Sequence, residues 1–435
     1  MRRLLELTLA IICLLGTVRA ADAALTIQIT GGTEGAQPIA VVPFGWQGSQ
    51  AQPPTEVGRV VADDLRRSGR FAPLPDKNLV AQPHTGDEVQ FQNWRVLGVD
   101  NLVVGRVQAT GGGSYDVQFQ LFDVLRARQL AGYSIQAKGG DLRRVAHHIS
   151  DLIYKALTGQ PGAFNTRIAY VTVTPAGKGK SHYQLQVADS DGYNPHTVLN
   201  SGQPIMSPAW SPDGSQLAYV SFESGHSQIY VQDVATGQRH AVASYPGING
   251  APAWSPDGKR LALTLSKDGN SEIYVLDLES GKLHRVTHNP AIDTEARWMP
   301  DGNSLVFTSD RGGGPQIYRI GVSGGTAKRL TFDGSYNAGV SVSPDGSHLA
   351  MVHGENGKYR IAVLDLSTGL LRVVSDGRLD ESPSFAPNGS MILYATDQGG
   401  RGVLAAVSQD GRVGQKLLSQ RGDVREPAWS PFLNP

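Results

Sequence analysis

The stretch PAWSPDG, residues 208–214, returns letter for letter at residues 252–258. Close variants follow further along the chain: ARWMPDG begins at residue 296, VSVSPDG at 340, PSFAPNG at 383 and a shortened PAWSP at 427. The prolines of the six copies are Pro212, Pro256, Pro300, Pro344, Pro387 and Pro431, which are 44, 44, 44, 43 and 44 residues apart. Self-similarity at a fixed period of this length is typical of a repeat architecture.

The chemistry of the motif identifies its local structure. Ser-Pro-Asp-Gly is a type I turn sequence, in which proline fixes φ at the second position and glycine occupies the last. A short strand such as Ala209–Trp210 precedes the turn, and β-rich runs such as Leu217–Val220 and Gln228–Val234 follow it. A glycine turn then leads to a fourth strand. Four antiparallel strands in about 40–45 residues predict one blade of a β-propeller.

The two ends of the repeat region complement each other. Residues 165–200 contain three strands of a blade that lacks its inner strand, whereas Glu426–Pro431 is an inner strand with no blade after it. Pairing the two closes a six-bladed ring and leaves no sheet edge between the first and last blades. An open solenoid is the alternative, but it does not explain the complementary halves.

Composition and the amino-terminus restrict the class of protein. Lys+Arg and Asp+Glu each number 39 in 435 residues, so no basic surface is expected to bind nucleic acid. Arg2 and Arg3 precede an apolar run and a small-residue cleavage pattern, which predicts a signal peptide over residues 1–23. A membrane anchor is the alternative. The single cysteine, Cys13, lies inside this segment, so the exported chain has no disulfide and no thiolate chemistry.

Residues 36–160 lack the repeat and predict a compact α/β domain. Pro38–Phe44 has the pattern of a strand, Thr55 is expected to cap a helix over Glu56–Ser68, and Asp141 is expected to cap a longer helix that ends before Gly159. Further predictions are a helix near Val89–Leu97 and strands over Asn101–Gln108, Tyr115–Val124 and Gln129–Lys138. His147 and His148 are adjacent and therefore point to different helix faces, which favours a surface position over a metal site.

This organisation resembles the TolB family of the Tol-Pal system in Gram-negative bacteria. Besides the export signal and the S-P-D-G blades, four local stretches resemble that family: PIAVVPF at 38–44, ADDLRRSG at 62–69, GAFNTRIAY at 162–170 and DGYN at 191–194. The resemblance covers the chain after the predicted signal peptide. The predicted propeller extends over residues 161–435. It implies a periplasmic, monomeric adaptor without cofactor or catalysis, which supports outer-membrane integrity and constriction during cell division.

The resemblance also implies two partners. It places the binding of the TolA carboxy-terminal domain on the amino-terminal segment, residues 24–35. Apolar and polar residues alternate there, as in a peptide that adds a strand to a partner sheet. The predicted TolA-binding residues are Leu25, Thr26, Ile27, Gln28, Ile29 and Thr30. The alternative is an ordinary first strand of the α/β domain.

The second implied partner is the lipoprotein Pal, which would dock at the propeller mouth and hold the protein peripherally at the outer membrane. Since blade strands alternate in direction, the loops between blades lie on the face opposite the S-P-D-G turns, and the family resemblance favours Ala251 and Thr294 among them. The predicted Pal-binding residues are Met206, Asn249, Ala251, Thr294, Glu295, Glu381 and Arg425. The alternative is that these residues only cap turns.

Rival functions are an enzyme and a propeller with another envelope partner. The chain has one G-x-S-x-G sequence, at Gly321–Gly325, but it falls in the glycine turn between two strands of a blade and not in the strand-turn-helix that a hydrolase needs. No inner-strand motif contains a histidine, as a propeller lyase would need. A Ca²⁺ site built from Asp293, Glu295, Glu381 and Glu426 is a further alternative at the mouth. Solvated rim charges are the competing interpretation of this cluster, and no metal is predicted.

Overall fold

The computed structural model describes residues 26–29, 35–177, 179–418 and 422–433. The predicted signal peptide, Leu25 and Thr30 lie outside these ranges. Among the described residues, no helix combines the length and the apolar character needed to cross a membrane. The first described strand is β1 (Thr26–Ile29).

The amino-terminal domain is a mixed sheet between helices. Its sheet has the order β4-β2-β5-β6-β7, with β3 paired to β5. In chain order its elements are β2 (Gln37–Val41), β3 (Gly45–Gln47), α1 (Val57–Arg67), β4 (Phe71–Pro73), α2 (Phe91–Val96), β5 (Asn101–Gly111), β6 (Ser114–Asp123), β7 (Arg128–Lys138) and α3 (Leu142–Thr158). β2 runs parallel to β4 and β5, whereas β5, β6 and β7 are antiparallel.

Two apolar layers cover this sheet. The larger core packs α1 and α3 against one face, with Leu65, Ile149 and Phe119 almost fully buried. The smaller core surrounds the buried Trp94 of α2 on the other face. The predicted mixed α/β character is therefore confirmed.

Several local details differ from the sequence prediction. Thr55 does not cap α1, because the N-cap residue is Glu56 and no side chain caps the helix. Asp141 occupies the N-cap of α3 but makes no side-chain cap hydrogen bond. Gly159 ends α3 in a left-handed conformation with φ of 76°, as its position predicts. The strands β3 and β4 were missed, because three residues carry too little periodicity to be recognised.

Six blades form the propeller, each built on four strands as the repeat predicts. The first blade contains β8 (Arg167–Gly177), β9 (Lys180–Asp189) and β10 (His196–Ser201), and it is completed by the last strand of the chain. The second blade contains β11 (Ile205–Trp210), β12 (Gln216–Ser221), β13 (Gln228–Asp233) and β14 (Arg239–Ala243). The third blade contains β15 (Asn249–Trp254), β16 (Arg260–Leu265), β17 (Glu272–Asp277) and β18 (Leu283–Arg285).

The remaining blades continue the same order. The fourth blade is β19 (Asp293–Trp298), β20 (Ser304–Ser309), β21 (Gln316–Gly321), β22 (Lys328–Arg329), and the fifth is β23 (Tyr336–Val342), β24 (His348–Glu355), β25 (Lys358–Asp365), β26 (Leu371–Val373). The sixth blade is β27 (Asp380–Phe385), β28 (Met391–Asp397), β29 (Gly402–Ser408), β30 (Gly414–Leu418), and the chain returns as β31 (Asp423–Trp429).

The ring is closed by its two ends. β31 pairs antiparallel with β8, with Trp429 opposite Ile168. Beyond the strand, Ser430 donates its backbone N–H to the Arg167 carbonyl at 2.9 Å, and its Oγ accepts the Arg167 N–H at 2.9 Å. The predicted six-bladed ring with a carboxy-terminal closing strand is therefore confirmed.

The repeated tryptophan joins neighbouring blades. The indole N–H of Trp254 donates to the Ala209 carbonyl of the preceding blade at 3.1 Å, and Trp298 makes the same bond to Ala253 at 3.1 Å. Trp210 makes it across the closure, to the Ala428 carbonyl at 3.1 Å. The tryptophan of PAWSPDG is thus a structural contact between blades.

β1 lies on the outer edge of the sixth blade. It pairs antiparallel with β30, with Thr26 opposite Leu418 and Ile29 opposite Gln415, and it makes that sheet five-stranded. The segment is therefore a strand of the propeller sheet. The alternative prediction, a first strand of the α/β domain, was wrong, because its hydrogen-bonding partner lies in the other domain.

Candidate binding site at the propeller mouth

Every inner strand is interrupted at the same place. The pairing register shifts once between each inner strand and its neighbour, for example between Met206 and Ala209 and between Thr294 and Arg297. One residue at each shift has a positive φ, between 47° and 63°. The six are Ser207, Ala251, Glu295, Gly339, Ser382 and Glu426, each five residues before a turn proline.

These bulges have a physical cost, which makes their repetition informative. A non-glycine residue in the left-handed region costs about 1–3 kcal/mol, and only one of the six bulge residues is glycine. β-Bulges redirect side chains and backbone groups at the rims of sheets. Six bulges at one level of the ring therefore give the mouth a defined and fixed geometry.

Two bulge carboxylates connect adjacent blades. Glu295 Oε2 accepts the backbone N–H of Gly339, the next bulge, at 3.0 Å, and the hydroxyl of Thr308 at 3.2 Å. Glu426 repeats the arrangement across the closure, where its Oε2 accepts the backbone N–H of Ser207. These carboxylates are held in place and cannot swing freely.

All six bulge residues line one cavity of about 480 Å³ at the centre of the ring. Its wall also contains Tyr336, Tyr359, Leu379 and Glu381. No histidine, lysine or cysteine is among the described residues that line it. The cavity has the size of a site for a small group or a few residues of an inserted segment.

The charge of the cavity is dominated by carboxylates. Glu295, Glu381 and Glu426 face it together. Burial raises the pKa of Glu426, and the neighbouring Glu381 and Glu295 carboxylates raise it further. Arg297 is the one arginine among the described lining residues, and burial lowers its pKa while Glu295 and Glu426 oppose that change.

Exposed apolar side chains surround this polar centre. Met206 is 42% exposed, Leu379 50% and Tyr359 37%, and all three line the cavity. Ile248 and Ile292, each 53% exposed, lie in the loops that lead into the inner strands β15 and β19. Large exposed apolar groups around a few oriented polar groups are typical of a protein-binding surface.

The predicted Pal-binding residues fall into two groups. Met206, Ala251, Glu295 and Glu381 line the cavity. The other three, Asn249, Thr294 and Arg425, are not among its lining residues.

Each residue of the second group has local contacts. Asn249 is 1% exposed, and its amide accepts the Tyr245 N–H at 2.9 Å and donates to the Tyr245 carbonyl at 2.7 Å. The Thr294 hydroxyl lies 3.3 Å from that of Thr264. Arg425 is exposed and lies 3.5 Å from Asp423.

Sequence reasoning did not select several residues of the cavity. Ser207, Gly339 and Ser382 are bulge residues, and Arg297 occupies a position that is alanine or serine in the other five blades. Their shared distance from the turn prolines was present in the sequence. The residue types at the bulges vary too much, however, to mark a left-handed conformation.

The structure places two residues considered for metal binding, Asp293 and His147, differently from the sequence prediction. Asp293, one of the four residues of the alternative Ca²⁺ cluster, is fully buried and paired with Arg311 at 2.6 Å, so it does not face the mouth. His147, predicted on the surface, is 2% exposed, because the face of α3 that carries it packs against α1 and the first blade. That prediction was wrong.

His147, Asp64 and Asp191 hold ligand-type atoms within 4.8 Å of one another. Arg67 and Arg143 are already paired with the two carboxylates. This cluster is therefore an ion-pair network in which bound guanidinium groups take the place a metal ion would need.

Two family models and several similar proteins carry the same family name. Family models for the TolB amino-terminal domain and the TolB beta propeller domain match residues 25–130 and 154–433. The chain is 61% identical over 435 residues to the Tol-Pal system protein TolB of Thioalkalivibrio sulfidiphilus, covering 100% of this chain and 99% of the relative. It is 64% identical over 409 residues to that of Nitrosococcus oceani, covering 94% of each.

A solved structure is also similar. The crystal structure of TolB from Acinetobacter baumannii has a TM-score of 0.87 and 45% sequence identity. The match covers 94% of this chain and 100% of that chain. The similarity thus extends over both domains.

Proposed function

We propose a function from one premise: this chain belongs to the TolB family. The protein is a non-catalytic periplasmic adaptor of the Tol-Pal system. It binds Pal at the propeller mouth and the carboxy-terminal domain of TolA through its amino-terminal segment. In this role it supports outer-membrane integrity and constriction during division.

The observation that carries the Pal proposal is the ring of six bulges around one cavity. A partner segment entering there would meet the apolar side chains of Met206 and Leu379 first and the carboxylates of Glu295 and Glu381 behind them. Such a centre, apolar and aromatic with few oriented charges, is where binding energy concentrates in protein interfaces.

The same geometry argues against catalysis at the mouth. Glu295 and Glu426 each use a carboxylate oxygen to accept the N–H of the next bulge. The serines at two bulges have no histidine among the described lining residues to act as a base. These groups support a shape that receives a partner.

The TolA proposal rests on the position of β1. Its backbone pairs with only four residues of β30, at the outer edge of the sixth blade. A short edge strand is released at low cost, and it can then add to the sheet of another protein through the same backbone groups. We infer that the segment exists in a packed state and in a free state, and that TolA binds the free state.

The Pal proposal is tested by calorimetric titration with purified Pal. Met206→Asp places a charge on the apolar rim, and Glu381→Lys reverses a cavity charge. Each should weaken binding at least about tenfold, the range of a central interface residue. Val96→Asp is the control, since Val96 is 87% exposed in the amino-terminal domain. Unchanged affinity in both mouth variants would place the Pal site elsewhere.

The TolA proposal has its own test. A chain that lacks residues 24–35 should lose binding to the TolA carboxy-terminal domain and keep its affinity for Pal. Loss of both partners would show that the segment is structural. If neither protein binds the intact chain, an envelope extract passed over it identifies the other partner that the rival function requires.

A further inference from the structure

The two domains meet at a buried cluster of charged groups. Helices α1 and α3 of the amino-terminal domain face the loop after β9 in the first blade. Asp64, Arg67 and His147 come from the helices, and Asp191 comes from the blade; each of the four is less than one-tenth exposed. Buried charges cost free energy unless they are paired, so this contact depends on the charge state of its members.

His147 lies between the carboxylates of both domains. Its Nδ1 is 2.7 Å from Asp64 Oδ2, and Asp64 Oδ1 accepts a hydrogen bond from Arg67 at 2.9 Å. On the other side, His147 Nε2 is 3.8 Å from Asp191 Oδ2. Nε2 is buried and has no hydrogen-bond partner. The imidazole is thus oriented by its own domain and faces the propeller with its second nitrogen.

Arginines supply the other contacts across the boundary. Arg143 of α3 pairs with Asp191, lies 3.8 Å from Asp189 and stacks 3.8 Å above the ring of Tyr193. Arg67 of α1 donates to the hydroxyl of Ser190 at 3.3 Å. One short loop of the first blade therefore receives both guanidinium groups.

The contact across the domain boundary depends on the protonation of the imidazole. His147 lies between the carboxylates of Asp64 and Asp191, which also pair with Arg67 and Arg143. An imidazolium has an N–H for each of these carboxylates and adds a charge–charge attraction between the two domains. A neutral imidazole has one N–H for the two carboxylates and loses that attraction.

We propose that protonated His147 is a pH-sensitive latch, which holds the amino-terminal domain on the first blade and loosens when a rising pH removes the proton from the imidazole. The latch is separate from the partner sites and does not depend on the function proposed for them. Histidine is the side chain whose charge changes in this range.

The direction follows from the surrounding groups. Burial alone would lower the pKa of His147, but the Asp64 and Asp191 carboxylates raise it above its ordinary value, against a smaller opposing effect of Arg67. Because the pKa is raised, His147 stabilises the domain contact fully below its ordinary pKa. This stabilisation is lost as the pH rises through the raised pKa.

The other groups facing His147 act mostly in the same direction. Burial raises the pKa of Asp189, and it raises that of Asp151 on α3 to about 6, so both also take up protons on docking. Asp151 accepts the backbone N–H groups of Phe164 and Asn165, where the chain enters the propeller, at 2.8 and 3.1 Å. Asp191 is the exception. Burial alone would raise its pKa, but Arg67, His147 and Arg143 lower it below the ordinary value. A change in the charge of Asp191 therefore affects the domain contact only at acidic pH.

Two measurements test the latch. Spin labels on Val96→Cys and Lys328→Cys report the distance between the domains, and the chain after the signal peptide has no other cysteine. The wild-type distance distribution should be narrow at about pH 6 and broad at about pH 9. His147→Gln should be broad at both values, and His148→Gln, its half-buried neighbour, should behave like the wild type. A narrow distribution at both values in the wild type and in His147→Gln overturns the proposal.

The second measurement detects the pairing itself. The imidazole resonance of His147 should titrate above the ordinary histidine range in the wild type and at a lower pH in Asp191→Asn. Intact unfolding transitions of both domains establish that the variant is folded. An unchanged titration in folded Asp191→Asn refutes the cross-domain contact, whatever the label distances show.

Discussion

Replacing Ser430 by alanine tests how strongly the ring is held at its closure. In the turns of three blades, a serine accepts the backbone N–H of the residue five positions later at 2.9 Å: Ser211 from Gln216, Ser255 from Arg260 and Ser343 from His348. Ser430 makes the same hydrogen bond to Arg167, which is 263 residues away. At the closure, the contact that elsewhere stabilises a hairpin joins the two ends of the propeller.

The size of the effect follows from burial. Ser430 is 1% exposed, so its removal leaves the Arg167 N–H without its side-chain acceptor. A buried donor that loses its partner costs about 1–3 kcal/mol. Ser255→Ala is the matched control, since Ser255 is fully buried and accepts an equivalent hydrogen bond inside one continuous hairpin. The two variants should lose similar free energy of unfolding but differ in where the structure opens.

Hydrogen exchange followed by mass spectrometry distinguishes the two. Ser430→Ala should speed exchange in β8 and β31, because those strands are connected by non-covalent contacts alone and can separate without opening the other blades. Ser255→Ala should change exchange only around its own hairpin. Unchanged exchange in β8 and β31, together with a urea midpoint equal to the wild type, would refute the idea that this contact holds the closure.

Three further predictions concern the bulges, the seam and the turns. Ala251→Gly should cost about 1 kcal/mol less free energy of unfolding than Ala253→Gly in urea titrations, because only Ala251, with φ of 47°, is released from left-handed strain; equal losses would contradict this. Gly402→Ala should lower the melting temperature, because the new Cβ would lie 2.7 Å from the Val424 carbonyl oxygen of the closing strand; an unchanged melting curve would be the contrary result. Burial alone would raise the pKa of Asp345, but hydrogen bonds from neighbouring serines lower it to about 2. The contribution of Asp345 to the free energy of unfolding should therefore be complete above about pH 4 and vanish towards pH 2; NMR titration of the Asp345 carboxyl near its ordinary pKa would contradict this.

The fold could be predicted because each blade repeats the same local chemistry. Pro212 and Gly214 fix a turn, and the tryptophan before them reaches the preceding blade. The closure could be predicted because the incomplete first blade and Glu426–Pro431 are complementary. Strand ends differed by a few residues, since hydrogen bonding rather than residue type decides where a strand stops.

The candidate site was harder to predict. A left-handed bulge is usually marked by glycine, yet at Ala251 and Glu295 the neighbouring blades impose it on other residues. Asn249 is a polar residue of a type that is common in exposed loops, but its side-chain amide is hydrogen-bonded to the backbone of Tyr245. His147 is buried by a domain contact between residues 64, 147 and 191, and no local pattern reports a contact over such separations.

The most direct test of the proposed adaptor is a hydrogen-exchange footprint of the chain in complex with Pal. The proposal predicts that protection concentrates around the six bulges, from Ser207 to Glu426, and around Tyr359 and Leu379 on the same cavity. Protection confined to the S-P-D-G turns on the opposite face, or to the outer surface of the amino-terminal domain, would contradict the proposal that the mouth is where Pal binds.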